Sequence, residues 1–89
     1  MKSFRQLEQI VKGFSSHRRI QILRLLKEQP EMSLDEITEK LKIKFRTASE
    51  HLRRLAIAGL LMKRSEGNYV RHKLTKLGES ILKFLGTLE

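Results

Sequence analysis

The chain has 89 residues and no cysteine, which allows one hydrophobic core but not two, and which excludes disulfides and zinc–cysteine sites. Its formal net charge is +9 at pH 7, so a nucleic acid, an anionic membrane or an acidic protein each fits as a partner. A signal sequence and a membrane-spanning apolar run are both absent, and we therefore expect a soluble intracellular protein.

Two helices are predicted in the first third of the chain. Apolar residues recur at helical spacing over residues 3–14, and Gly13 with the serines that follow predicts the end of this first helix. Ser16 predicts the N-cap of a second helix from Arg18 to about Glu28. Its apolar face is broad, so we expect it at the centre of the core. The face consists of Ile20, Ile22, Leu23, Leu25 and Leu26.

Two further helices are predicted in the middle of the chain. Ser33 and Glu36 have the spacing of a capping box, which predicts the start of a third helix. Residues 42–44 interrupt its apolar pattern and indicate a tight turn. A fourth helix is predicted from about Phe45 to Ala58, and Gly59 provides its stop. The inner side of the fourth helix carries Ala48, Leu52 and Leu55.

From Leu60 the apolar pattern changes from helical to alternating, which predicts a β-hairpin over residues 60–74. Gly67 and Asn68 predict its turn, because both residue types tolerate a positive φ. Thr75 predicts the N-cap of a last helix over residues 75–88. The sequence therefore predicts a single domain over residues 1–89, mainly α with a small β-hairpin. Its element order, α-α-α-α-β-β-α, is that of a winged helix-turn-helix.

Two short helices, a tight turn and a basic hairpin form the arrangement in which one helix enters the major groove of DNA. The hairpin, or wing, then reaches the backbone or the minor groove. Residues 40–73 contain ten Lys or Arg and two acidic residues, while the rest of the chain contains nine Lys or Arg and eight acidic residues. A solvated face with ion pairs within the helix is the alternative interpretation, but such segregation exceeds what solubility requires. The predicted DNA contacts are Lys44, Arg46, Thr47, Ser49, Glu50, Arg53, Arg54, Lys63, Arg64, Asn68, Arg71 and Lys73.

The fourth helix carries side chains suited to reading bases. Arg46 and Arg53 can each pair bidentately with guanine, and Thr47 or Ser49 can contact a thymine methyl group or a phosphate. Because a carboxylate is repelled by phosphate, Glu50 either accepts a hydrogen bond from cytosine or orients a neighbouring arginine. The basic residues of the wing are expected to contact mainly phosphates.

The residues of these elements resemble those of ArsR-type winged-helix repressors over nearly the whole chain. The likeness rests on residues 19–23, 49–55 and 58–60, which read RIQIL, SEHLRRL and AGL. The ending from Leu74-Thr75 onward is shared with MarR-type regulators. The resemblance implies a DNA-binding transcriptional repressor in the cytoplasm of a prokaryote, associated with the nucleoid. It also implies a homodimer whose first and last helices form the interface.

Apolar residues left over at both ends of the chain also favour a dimer, because a monomer this small has difficulty covering them. A symmetric dimer would set two recognition helices about 34 Å apart, so the target would be an inverted repeat with half-sites about 10 base pairs apart. The alternative is that the two end helices pack on each other within one chain. The predicted interface residues are Phe4, Leu7, Val11, Ile81, Phe84, Leu85 and Leu88.

Neither a metal nor a cofactor is predicted, and no effector is identified. Metal-sensing proteins of the ArsR type carry cysteines where this chain has residues 32–36, or ligands on the last helix, where this chain offers only Glu79 and Glu89. The three histidines are far apart, and each is expected to pack or to bond to the backbone. They are His17, His51 and His72, the last at a position where an aromatic residue is common. Catalysis is not predicted either, because phosphate loops, paired acids and nucleophile motifs are all missing.

A sequence-indifferent nucleic-acid-binding protein, either architectural or RNA-binding, is the main alternative, because it would use the same basic surface. The mixed polar face of the fourth helix and the single tyrosine count against it, since such proteins use aromatic stacking. In a third interpretation the terminal helices bind another protein. Membrane binding is not predicted, because the charge lies away from the amphipathic ends.

Overall fold

The computed structural model describes all residues from Met1 to Glu89. Its helices are α1 (Phe4–Phe14), α2 (His17–Glu28), α3 (Leu34–Leu41), α4 (Phe45–Ile57) and α5 (Lys76–Gly86). Its strands are β1 (Met32–Ser33), β2 (Leu61–Glu66) and β3 (Tyr69–Leu74), which form an antiparallel sheet in the order β1-β3-β2. The predicted winged helix-turn-helix, mainly helical with a small hairpin, is confirmed.

Short hydroxyl side chains begin four of the five helices. Ser3, Ser16, Ser33 and Thr75 each accept a hydrogen bond from a backbone N–H of the first turn. The predicted capping box is present, because Glu36 N–H donates to Ser33 Oγ at 3.2 Å and Ser33 N–H donates to Glu36 Oε1 at 2.9 Å. These bonds lower the pKa of the Glu36 carboxyl and satisfy two otherwise free donors at the start of α3.

The core lies around α2, as its broad apolar face predicts. Ile22, Leu23 and Leu26 of this helix are fully buried. They belong to one apolar cluster with side chains from α3, α4 and the start of the wing. Burying a side chain of this size stabilises the fold by about 1.5 to 3 kcal/mol. The other large side chains that are fully buried are Ile37, Leu52, Leu55 and Leu60.

Gly13 does not end the first helix, which continues through it to Phe14. A side chain at this glycine would collide with the Cβ atom of Ala58, just beyond α4. The glycine is therefore a packing residue that lets α1 approach α4 closely, and α1 ends at Phe14, as predicted, with Ser15 as its C-cap. The sequence pattern alone does not distinguish a helix stop from a close helix contact.

The strand β1 is not in the predicted element order. It has two residues, which is too short for an alternating pattern to be recognised, and Met32 and Ser33 pair with His72 and Arg71 of β3. The turn of the hairpin also differs in detail, since Gly67 alone has a positive φ (61°), and Asn68 does not.

Helix ends differ from the predicted ones by one or two residues. The helix α2 begins at His17 and α4 ends at Ile57, whose next residue, Ala58, is its C-cap. The helix α5 ends at Gly86 rather than at residue 88, because the Thr87 hydroxyl donates to the carbonyl of Phe84 and closes the last turn. Leu88 therefore follows the helix.

Candidate nucleic-acid interface

The helix α4 is held in place by a tight turn before it and by its buried side. Lys42, in the left-handed conformation (φ 56°), ends α3, and the backbone N–H of Ile43 donates to the carbonyl of Thr38. Ala48, Leu52 and Leu55 are buried, as predicted, and hold α4 against the core. The opposite side of α4 is therefore directed to solvent.

The structure brings the predicted DNA contacts of the fourth helix together on this exposed side. Lys44 is the N-cap of α4. Its own side chain makes no capping bond, so the first N–H groups of this helix lack a side-chain partner. All seven predicted residues of this element are exposed, namely Lys44, Arg46, Thr47, Ser49, Glu50, Arg53 and Arg54.

Glu50 bridges two arginines on the exposed face of α4. Its carboxylate accepts from Arg53 Nη2 at 2.7 Å and from Arg53 Nε at 3.0 Å, and also from Arg54 Nε at 3.1 Å. These contacts, the Arg53 hydrogen bond first, lower the pKa of Glu50 to about 2. Of the two roles left open by the sequence, the geometry favours an orienting bridge, because both carboxylate oxygens already have arginine partners.

Two faces of the wing carry different chemistry. Arg64 of β2 and Arg71 of β3 lie opposite each other in the strand register, on the outer face of the wing. Both contact acidic side chains there. Arg64 contacts Glu31, with Nε donating to Oε1 at 2.6 Å, and both arginines contact Glu66. Arg71 is 30% exposed and also lies 3.6 Å from Glu36 Oε1. These arginines therefore tie the wing to the segment before α3.

The sequence pattern did not predict these acidic partners. Glu31 and Glu36 lie 33 and 35 residues before Arg64 and Arg71 respectively, and they reach the wing only because β1 pairs with β3. A two-residue strand leaves no pattern in the sequence that would have revealed this pairing.

On the inner face of the wing, Lys63 of β2 lies opposite His72 of β3 in the strand register. Both line a depression of about 250 Å³ that Ser49 of α4 also borders. His72 is buried, and its Nδ1–H donates to the carbonyl of Met32 at 3.0 Å. Burial lowers the pKa of His72. Lys63 makes no ion pair, and the same holds for Lys44, Arg46 and Lys73.

Arg19 links three helices behind the interface. Its Nη1 donates to the carbonyls of Lys12 and Gly13 at 3.0 and 3.1 Å, and its Nε donates to His51 Nδ1 at 3.2 Å. Burial, and then the nearby Arg19 charge, lower the pKa of His51. The arginine thereby joins the end of α1 to the flank of α4, a role that the sequence pattern did not indicate.

The terminal helices expose part of their apolar faces. Phe4 is 92% and Phe84 is 53% exposed, and Leu7, Val11 and Leu88 are exposed as well. The other two predicted interface residues, Ile81 and Leu85, are half-buried because they pack partly against the core of their own chain. Within the chain, α1 packs on α2 and α4, and α5 packs on α2 and β3.

None of the helices combines the length and the apolar character that are needed to span a lipid bilayer. No three side chains of the types that bind metals lie close enough together to form a site. His17 and His51 lie close enough for the charge of one to lower the pKa of the other, whereas His72 lies in the wing.

Solved structures of bacterial regulators resemble the chain over most of its length. The homodimeric winged helix-turn-helix DNA-binding domain of Mb0332 from Mycobacterium bovis, a possible ArsR-family transcriptional regulator, is 25% identical, with a TM-score of 0.85. That similarity covers 99% of this chain and 87% of the other. No curated protein matches the chain.

Two HlyU structures are also similar. The transcriptional regulator HlyU from Vibrio vulnificus is 31% identical over 92% of this chain and 85% of its own, with a TM-score of 0.77. Reduced HlyU from Vibrio cholerae is 27% identical over 93% of this chain and 87% of its own, with a TM-score of 0.80.

The sequence profile of the family described as bacterial regulatory protein, arsR family, matches residues 16–63. This range runs from the N-cap of α2 into the first half of the wing, and so includes the whole helix-turn-helix. It spans more than half of the 89 residues. The chain therefore belongs to the ArsR family of bacterial regulatory proteins and has the winged helix-turn-helix fold of its transcriptional regulators.

Proposed function

We propose that this protein is a sequence-specific transcriptional regulator that binds double-stranded DNA as a homodimer and represses transcription. The observation that carries the proposal is the exposed face of α4, where Arg46 is unpaired and Glu50 holds Arg53 in a fixed orientation. A fixed guanidinium is suited to bidentate recognition of guanine in the major groove. The family membership and the fold support the same function.

The unpaired cations favour phosphate contacts on either side of α4. Lys44 lies at the start of the helix, Lys63 lies beside Ser49 on the inner face of the wing, and Lys73 lies on its outer face. A lysine without a carboxylate partner gains the most from a phosphate, because its charge is not already compensated. Arg64, Arg71 and Asn68 remain proposed contacts of the wing, and the two arginines would have to share their charge with Glu31 and Glu66.

The exposed apolar faces of α1 and α5 support the dimer. Each helix packs on the core of its own chain and still exposes a phenylalanine. The similar domain from Mycobacterium bovis is described as homodimeric. Isologous pairing through both helices would cover these faces and set two copies of α4 about 34 Å apart, so the proposed target is an inverted repeat.

A sequence-indifferent role in binding nucleic acid remains the second candidate. The basic surface alone would serve it, because phosphate contacts need no particular bases. The fixed Glu50–Arg53 pair is harder to explain in that role, since it reduces the positive charge of the surface while ordering it. We therefore prefer base reading.

Selection of bound sequences from a pool of random DNA duplexes at fixed salt concentration tests the proposal. We expect an inverted repeat to be enriched, with guanines near the centre of each half-site. Arg46→Ala should weaken binding to that repeat by about 1 to 3 kcal/mol and leave random duplexes less affected. A pool without any enriched sequence would favour the sequence-indifferent role.

A further inference from the structure

Phe45 is an exposed aromatic residue that the core does not use. The chain has four phenylalanines. Phe14 is buried in the core, and Phe4 and Phe84 lie on the terminal helices that are proposed to form the dimer. Phe45 lies in neither place, is 59% exposed, and does not belong to the buried core cluster.

Phe45 lies at the N-terminal end of the proposed recognition helix α4. It is the first residue of α4 and follows the N-cap Lys44. Together with Arg46, Ser49 and Glu50 it lines one shallow depression of the surface. Because the N-terminal residues of a recognition helix contact base edges, the ring would meet the floor of the major groove together with Arg46.

The chemistry of the ring limits what it can recognise there. A phenyl group neither donates nor accepts a hydrogen bond, so it cannot read the polar edges of guanine, adenine or cytosine. The 5-methyl group of thymine is the one apolar group that the base pairs present in the major groove. An exposed ring held beside an arginine therefore matches a thymine next to a guanine.

We propose that Phe45 is a specificity-determining residue that contacts the 5-methyl group of a thymine in each half-site. This inference rests on the proposed function, because it requires α4 to lie in the major groove. Contact with the methyl group removes apolar surface of both partners from water, and the preference arises because uracil, which lacks the methyl group, leaves that surface exposed.

Substitution of deoxyuridine for thymidine tests the contact without changing any hydrogen-bonding group. The wild-type protein first selects its preferred duplex from a random pool, and each thymidine of that duplex is then replaced in turn. At one position per half-site we expect about fourfold weaker binding, equivalent to about 0.8 kcal/mol for one buried carbon. Replacement in both half-sites should weaken binding about fifteenfold.

Variants assign the effect to the ring. Phe45→Ala should bind the thymidine and deoxyuridine duplexes equally, and Phe45→Leu should keep part of the preference. Ile57→Ala is the matched control, because Ile57 is also an exposed apolar residue of α4 (72%) but lies at its other end. This variant should keep the full preference. Circular dichroism shows whether each variant is folded.

The outcomes separate this inference from the proposed function. If the wild type selects a sequence but binds its deoxyuridine forms as tightly at every position, the role of Phe45 is wrong and the proposed function stands. The same conclusion follows if Phe45→Ala loses as much affinity on deoxyuridine substitution as the wild type does. If the wild type selects no sequence at all, both are wrong.

Discussion

Glu50 differs from an ordinary surface carboxylate because arginine side chains donate to both of its oxygens. The hydrogen bond from Arg53 is the main cause that lowers its pKa to about 2, and the residue carries a negative charge at neutral pH. A negatively charged residue on the proposed DNA-binding surface repels phosphate. Its presence is explained if it orders Arg53, which it contacts through both oxygens.

Glu50→Gln tests this role at the level of single bases. We expect tighter binding to random duplexes, because a negative charge is removed, and a loss of preference for the guanine read by Arg53 of about 1 to 3 kcal/mol. Affinities for a set of single-base variants of the selected duplex give the answer. If preference is lost only at a cytosine, Glu50 reads that base directly and does not act through Arg53.

His72 predicts how stability depends on pH. Burial lowers the pKa of its imidazole in the folded chain, so the unfolded chain, with a pKa of about 6.5, binds the proton first as the pH falls. The contribution of neutral His72 is therefore complete above pH about 6.5 and is lost below it. The pKa of His51 is also lowered, so His51 contributes to the pH dependence of stability in the same direction.

Urea unfolding at pH 7.5 and pH 5.0 measures this effect. The free energy of unfolding should be lower at pH 5.0 in the wild type, and the difference should be smaller in His72→Phe. The variant loses the hydrogen bond to Met32 but has an aromatic ring that cannot take up a proton. An equal difference in both proteins would mean that His72 does not couple folding to pH.

At the scale of elements, the basic residues of the wing divide into arginines that contact carboxylates and lysines that make no ion pair. Lys63 and Arg64 are neighbours on β2, yet their side chains point to opposite faces of the sheet. Lys63 borders the same depression as Ser49 of the recognition helix, whereas Arg64 contacts Glu31 and Glu66. Their roles in DNA binding should therefore differ.

The variants Lys63→Gln and Arg64→Gln form a matched pair, since each removes one positive charge. Lys63→Gln should make the slope of log affinity against log salt concentration shallower by about 0.9, because one phosphate is no longer neutralised. Arg64→Gln should change the slope less, because its charge is already compensated. Titrations of DNA at several salt concentrations check this. Equal changes in slope would show that the pairs with Glu31 and Glu66 open when DNA binds.

Most elements could be predicted from the sequence because their signals are local. The serine and threonine caps, the apolar period of α2 and α4, and the change of period at Leu60 each depend on a few neighbouring residues. The packing role of Gly13 could not be predicted, because it depends on contact with Ala58. The strand β1 could not be predicted either, because it depends on pairing with β3. Such contacts between distant residues become visible only once the chain is folded.

In the candidate site, too, the features with local signals were predicted and those that depend on distant contacts were not. Its basic residues and the turn before α4 were predicted from local composition and spacing. Which of these cations form ion pairs was not predicted, because Glu31 contacts Arg64 from 33 positions earlier in the sequence. The pairing of Glu50 with neighbouring arginines was one of the two roles that the sequence predicted, since i+3 and i+4 neighbours lie on one side of a helix.

At the scale of the whole molecule, the exposed faces of α1 and α5 predict the oligomeric state. The wild type should sediment as a dimer at micromolar concentration, and Val11→Glu and Phe84→Glu should each give folded monomers, because a charge would be buried in the interface. Both residues are exposed within one chain, so neither change disturbs its core. Met62→Glu, an exposed apolar position on the wing, should remain a dimer. A wild type that sediments as a monomer would contradict the proposed interface.

The central claim is that two copies of α4, held by the terminal helices, read two half-sites on one face of DNA. Binding to duplexes in which the spacing of the selected half-sites is varied tests it most directly. Inserting five base pairs moves the second half-site to the opposite face of the duplex, so affinity should fall to that of a single half-site. Affinity that does not depend on the spacing, or on the presence of the second half-site, would contradict the account.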